Sequence, residues 1–258
     1  MGLKHTQKQD NVNRELFDQI FMMQDLNEFE NVYLFSDINM EDKKLFNFFK
    51  REFKNKEKMI FIASDPENHE KIDKKVKEFK KYLKKIGLKD FEIIDNRMTK
   101  YAAINHIERA DILFLVGGDP IKQFNFIKEY ELDNIIKGFK GSLIGWSAGA
   151  MNLAKEVQVS IDKDNEDHIS ILKEHNLEIK SLSYEGLVLV DITIDPHFDK
   201  GNKNQVKELL KAQIDVIGLP DESYIKVDKY GIKTIYGTYY TRENNKLVEI
   251  NDEIEDIS

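Results

Sequence analysis

Residues 143–150 read Leu-Ile-Gly-Trp-Ser-Ala-Gly-Ala. An apolar run gives way to a Gly-x-Ser-x-Gly turn and then to helix-forming residues. A serine on so sharp a strand-to-helix turn is lifted above the sheet, and small residues must flank it, here Gly145 and Gly149. The turn also sets Ser147 at a helix N-terminus, where free N–H groups stabilise developing negative charge. The chemistry this predicts is nucleophilic attack by the Ser147 hydroxyl. Three small residues also allow plain close packing of helix on strand, so the surrounding elements have to decide.

A second turn of the same kind follows the apolar run 112–116, in Val116-Gly117-Gly118-Asp119-Pro120. Paired glycines let backbone N–H groups approach a ligand. The amide of Gly118 or Asp119, with that of Ala148, forms a candidate oxyanion hole. Asp119 and Pro120 also read as the N-cap and first residue of a helix. A serine nucleophile needs a base. Of His5, His69, His106, His168, His175 and His197, the last stands out. It lies in Asp195-Pro196-His197-Phe198, directly after an apolar run. The same segment offers a rival reading, with Asp195, His197 and Asp199 as metal ligands, but no second cluster at matching spacing supports it. The base in turn needs a carboxylate to hold its tautomer. Glu222 is favoured because it stands where an apolar strand begins, and a carboxylate there needs a partner. Asp221 and Asp162 are the alternatives.

The elements that position these residues follow from periodicity. Short apolar runs at 31–35, 59–63, 91–94, 112–116 and 142–145 read as buried strands. Helical spacing marks 41–53, a long helix from Asp65-Pro66 to about Lys85 ended by Gly87, 101–107 and 148–155. Continuous apolar strands alternating with helices predict an α/β fold, a mostly parallel sheet with helices on both faces. Past residue 160 the pattern changes. Runs at 186–193, 216–219, 223–227 and 232–240 read as strands of an antiparallel C-terminal extension, with one helix at 203–213. Residues 160–183 read as a polar surface excursion. No linker or repeat interrupts the chain, so the expectation is an N-terminal extension, 1–30, and one α/β domain, 31–258.

Composition narrows the function. There are 39 basic and 47 acidic residues among 258, a net charge of −8, a poor match to nucleic acid or an anionic membrane. The absence of cysteine excludes disulfides, thiolate zinc sites and a cysteine nucleophile. No cofactor or metal is called for. The first fifteen residues carry no apolar signal segment, and the longest uncharged stretch is too short to span a bilayer, so the expected location is cytoplasmic.

Four motifs in order, Gly-Gly-Asp after a strand, Gly-Trp-Ser-Ala-Gly-Ala, Asp-Pro-His-Phe and Gly-Leu-Pro-Asp-Glu, resemble the serine peptidase family of aspartyl dipeptidase (peptidase E) and cyanophycinase, over about residues 31–240. The resemblance implies a fold similar to class I glutamine amidotransferases, with serine in place of their cysteine. It implies Ser147 as nucleophile, His197 as general base, Glu222 as the acid of a Ser-His-Glu triad, and Gly118 and Ala148 as oxyanion-binding positions, with Asp162 a second candidate acid. It implies an exopeptidase or dipeptidase acting on short peptides, aspartyl peptides among them. The other readings are an esterase or amidase with the same machinery, and a peptide- or small-molecule-binding protein whose elbow is only structural. One departure stands out. The family's arginines after the histidine motif are absent. The stretch 199–207 carries lysines only, and lysine lacks the planar two-pronged grip on a carboxylate.

Overall fold

The structure is a computed structural model and describes residues 28–160 and 181–252. Five strands run parallel in the order β3, β2, β4, β5, β1: β1 is Asn31–Phe35, β2 Lys58–Ile62, β3 Asp90–Ile94, β4 Ile112–Leu115 and β5 Ser142–Trp146. Most of their residues are buried, as both-face coverage demands. Along β1 the side chains alternate between two cores. Val32 and Leu34 pack on one face with Ala103, Ile107, Ile121, Phe126, Ile136 and Met151. Tyr33 and Phe35 pack on the other with Phe48, Phe49, Ile72, Val76, Phe79 and Leu83. The first face is covered by α3 (Lys100–Glu108), α4 (Pro120–Glu129), α5 (Asp133–Lys137) and α6 (Ala148–Leu153), the second by α1 (Lys43–Glu52) and α2 (His69–Leu83).

The predicted strands of this half hold within a residue or so. The long helix starts later than Asp65-Pro66 because the side chain of Asn68 accepts the Lys71 amide and caps it. It ends as expected, through a short 3₁₀ turn at Gly87, whose φ is 112°. Asp119 caps α4 by accepting the amides of Ile121 and Lys122.

The C-terminal extension is antiparallel where it joins the sheet. Strand β10 (Tyr224–Asp228) pairs antiparallel with β1, and β11 (Lys233–Glu243) with β10. At Gly237, with φ 88°, β11 changes partners. Its second half pairs with β12 (Lys246–Asp252) and, at Tyr240, with β9 (Val216–Leu219). Strand β9 then pairs parallel with β8 (Thr193–Pro196) at the sheet's edge. Helix α7 (Lys203–Lys211) lies where 203–213 was predicted.

Two expectations are corrected. The apolar run 186–193 is not a strand, since β8 starts only at Thr193. Leu187, Leu189 and Val190 are nonetheless buried. The amides of Leu187, Val188 and Leu189 bond to the carbonyls of Asn152, Ala154 and Leu153, so the run satisfies its backbone on the orphan carbonyls at the end of α6. The predicted helix 148–155 stops at Leu153, and β6 (Glu156–Ser160) and β7 (Ser181–Glu185) form a separate two-stranded sheet. The excursion between them, with Asp162, His168 and His175, lies outside the described residues, as does His5. Among the described residues no helix is long and apolar enough to cross a membrane.

Candidate active site

Ser147 follows β5 directly and stands at the N-cap position of α6. Its backbone is strained, with φ 49° and ψ −110°, a geometry that costs a non-glycine residue about 1–3 kcal/mol. Three contacts enforce it. The Ser147 amide donates to the Phe35 carbonyl at 2.9 Å. A Cβ at Gly145 would lie 2.5 Å from the Ala150 Cα, and one at Gly149 would collide with the Leu115 carbonyl oxygen. The glycines therefore let α6 sit against β4 and β5, and the serine takes up the sharp turn.

The Ser147 Oγ lies 2.8 Å from the His197 Nε2, and the His197 Nδ1 lies 2.6 Å from the Asp221 Oδ1. One chain of hydrogen bonds thus joins a hydroxyl, an imidazole and a carboxylate. The pairing of β8 with β9 explains the last link. Pro196 stands opposite Leu219, and the Phe198 amide donates to the Leu219 carbonyl, so the residues leaving the two strands stay side by side. His197 itself has φ 57°, which turns its ring out of the strand's line. Its carbonyl accepts from the Gln205 side chain at 3.2 Å.

Glu222, the carboxylate favoured from sequence, is not part of this chain. It is exposed and its side chain makes no hydrogen bond among the described residues. The buried strand begins only at Tyr224, so Glu222 sits in the preceding turn, where water satisfies it. Asp221, the alternative one residue earlier, takes the place beside His197. His69 and His106 lie elsewhere, on α2 and α3. Nor does the structure gather Asp195, His197 and Asp199 as ligands. His197 is engaged as described, and Asp199 accepts the Gly201 amide.

Ser36, which the motifs and spacing did not single out, is a further member. It follows β1 and is fully buried. Its Oγ accepts the His197 amide at 2.7 Å and lies 3.5 Å from the Asp221 Oδ1. A serine immediately beyond the C-terminal end of a buried parallel strand, where α/β sheets place their sites, was the available signal.

Gly118 and Ala148 flank the serine. Gly118 is exposed, with φ 154°, and a Cβ there would collide with the Ser64 hydroxyl. A Cβ at neighbouring Gly117 would lie 3.3 Å from the Ser147 Cβ, so the Gly-Gly turn abuts the nucleophile. Ala148 is the first residue of α6, and its N–H is one of the helix's free donors. Beneath the elbow, Trp146 donates its indole N–H to Asp37 at 2.9 Å. It also lines a cavity of about 490 Å³ with Phe79, Tyr82, Glu41 and Glu78. Lys75 stands over the Trp146 ring at 4.7 Å. Burial pushes its ammonium below the ordinary lysine value, Lys71 adds to this, and Asp37 opposes it. Two residues before His197, burial pushes the Asp195 carboxyl up to about 6, with a further push from Glu208.

Fold and site together define an α/β hydrolytic scaffold with a serine at its elbow. Residues 34–235 match the model of peptidase family S51, and the chain belongs to that family, a family of serine-type peptidases. Solved structures agree in fold. A peptidase from an acI-B1 actinobacterium superposes with a TM-score of 0.63 at 16% identity, over 86% of this chain and 94% of the other. A candidate peptidase E from Listeria monocytogenes EGD-e gives a TM-score of 0.55 at 18% identity, over 87% and 99%. No curated protein is a significant match.

Proposed function

We propose that this serine peptidase cleaves short peptides through an acyl-enzyme, using Ser147 as nucleophile, His197 as general base and Asp221 as the acid that orients the base. The observation that carries this reading is the continuous hydrogen-bond chain from Ser147 through His197 to Asp221. His197 Nδ1–H donates to Asp221, which leaves Nε2 free to accept the Ser147 proton as the oxygen attacks the substrate carbonyl. The tetrahedral oxyanion falls to the amides of Gly118 and Ala148. His197 then protonates the leaving amine and activates the water that releases the acyl group. The names of the structural relatives support a peptidase, and the motif resemblance alone supports an exopeptidase with aspartyl peptides as one substrate class. The lysines after His197 supply positive charge there, although Lys200 is already paired with Glu249 at 2.8 Å.

The test is a panel of dipeptides varied at the N-terminal residue, run on wild type and Ser147→Ala. Hydrolysis by wild type and its loss in Ser147→Ala are expected. Undiminished hydrolysis by pure, folded Ser147→Ala overturns the reading.

A further inference from the structure

The peptide unit joining Gly117 to Gly118 is held from behind by two side chains. The Gly117 carbonyl accepts from the Ser64 hydroxyl at 3.0 Å and from the Lys75 ammonium at 2.7 Å. Ser64 is buried just beyond β2, and Lys75 reaches in half-buried from α2. A peptide is planar and trans, so its N–H points opposite its C=O. Fixing the carbonyl toward Ser64 and Lys75 therefore fixes the Gly118 N–H away from them, on the exposed side of the turn. These two bonds oppose a flip of the unit. Gly118, with φ 154°, occupies a backbone region that other residues rarely adopt, and a Cβ there would collide with Ser64.

Lys75 is an odd choice for a merely structural contact. Half-burying an ammonium is unfavourable unless it is matched, and among the described residues only Asp37 is near enough to favour its charge, without a direct ion pair. Its donors go to one carbonyl and its charge to the Trp146 face. A charge-assisted bond at a carbonyl oxygen withdraws electron density from the whole amide, so the N–H of the same unit becomes a stronger donor.

We propose that Lys75 and Ser64 are positioning residues for the oxyanion hole, orienting and polarising the Gly117–Gly118 peptide so that its N–H meets the developing negative charge. This rests on the reading of Ser147 as the acylated nucleophile. Neither side chain touches substrate, and both act through one shared peptide.

The experiment compares wild type, Lys75→Met, Lys75→Arg, Ser64→Ala and, as a control from the exposed side of α2, Lys74→Met. Acylation is followed with p-nitrophenyl acetate. A dipeptidyl trifluoromethyl ketone carrying ¹³C at its carbonyl reports the hemiketal by NMR. Lys75→Met is expected to slow acylation about tenfold to a hundredfold, less than the ~10²–10³ lost with an entire oxyanion donor, with KM within about twofold. The hemiketal hydroxyl should titrate about one pH unit higher, the equivalent of a tenfold weaker hold on the oxyanion. Lys75→Arg should retain most of the rate, and Lys74→Met all of it. Ser64→Ala should shift the hemiketal in the same direction by less, and serves alone should Lys75→Met not fold. A folded Lys75→Met that acylates at the wild-type rate with an unmoved hemiketal overturns the proposal, as does a loss confined to KM. Wild type that is never acylated overturns the reading of Ser147 and this inference together, whereas acylated wild type beside an unaffected Lys75→Met overturns this inference alone.

Discussion

A serine at a helix N-cap ordinarily accepts a backbone N–H from the first turn, yet the Ser147 side chain makes no such bond and its hydroxyl is left to His197. The same frugality separates the two adjacent acids. Asp221 is fixed by His197 and lies near Ser36, while Glu222 faces water. Replacing Asp221 by Asn should lower kcat by about 10⁴, the loss that follows when a catalytic histidine is held in the wrong tautomer. Glu222→Gln should leave kcat within about twofold, and steady-state kinetics on one cleaved dipeptide measures both. Ser36→Ala should lower kcat about tenfold with little change in KM, since it loosens the seat of the base and touches no substrate. A larger effect on KM than on kcat would contradict that role.

Between elements, contact distances leave little slack at α6. Gly149→Ala drives a methyl group into the Leu115 carbonyl and should cost about 3 kcal/mol, the upper end for overpacking, seen as a fall in the midpoint of urea unfolding. The junction of β8 and α7 carries a different liability. The Asp195 carboxyl is raised to about 6 in the folded chain, above its ordinary 3.8. Its protonated form favours folding at pH below about 4, and that contribution is lost as pH rises through about 6. Asp195→Asn removes the loss. The variant should gain up to about 3 kcal/mol over wild type at pH 7, the equivalent of a carboxyl that titrates about two pH units high, and nothing at pH 4. Thermal melts across that range test it. The burial of Asp195 was not legible in the sequence, because a carboxylate's environment depends on which helix covers the strand. Likewise the apolar run 186–193 looked like a strand because burial alone produces that pattern, whichever backbone partners it finds.

Across the whole molecule, the parallel half was legible because buried strands and capped helices write continuous apolar runs and stop signals into the chain. The meeting of Ser147 with His197 was legible too, since each stands where a strand ends. The identity of the acid was not. Asp221 and Glu222 are neighbours, and only the pairing of β8 with β9 decides which one reaches the ring. That pairing hangs on β11, which turns from β10 to β9 at Gly237. Gly237→Val should therefore cut activity more steeply than it cuts helix content, with peptidase assays and far-ultraviolet circular dichroism on the same sample as the measure.

His197 lies 50 positions after Ser147, and Asp221 another 24 after His197. During synthesis the Ser147 hydroxyl is thus laid down long before either of its hydrogen-bond partners exists. Strand β10, which flanks β1 in the finished sheet, comes later still. A nascent chain that ends at the elbow lacks the hydrogen-bond chain of the finished fold, which closes only with the last quarter of the polypeptide. On the reading of Ser147 as nucleophile, sequence order thereby delays peptidase activity until the chain is nearly finished.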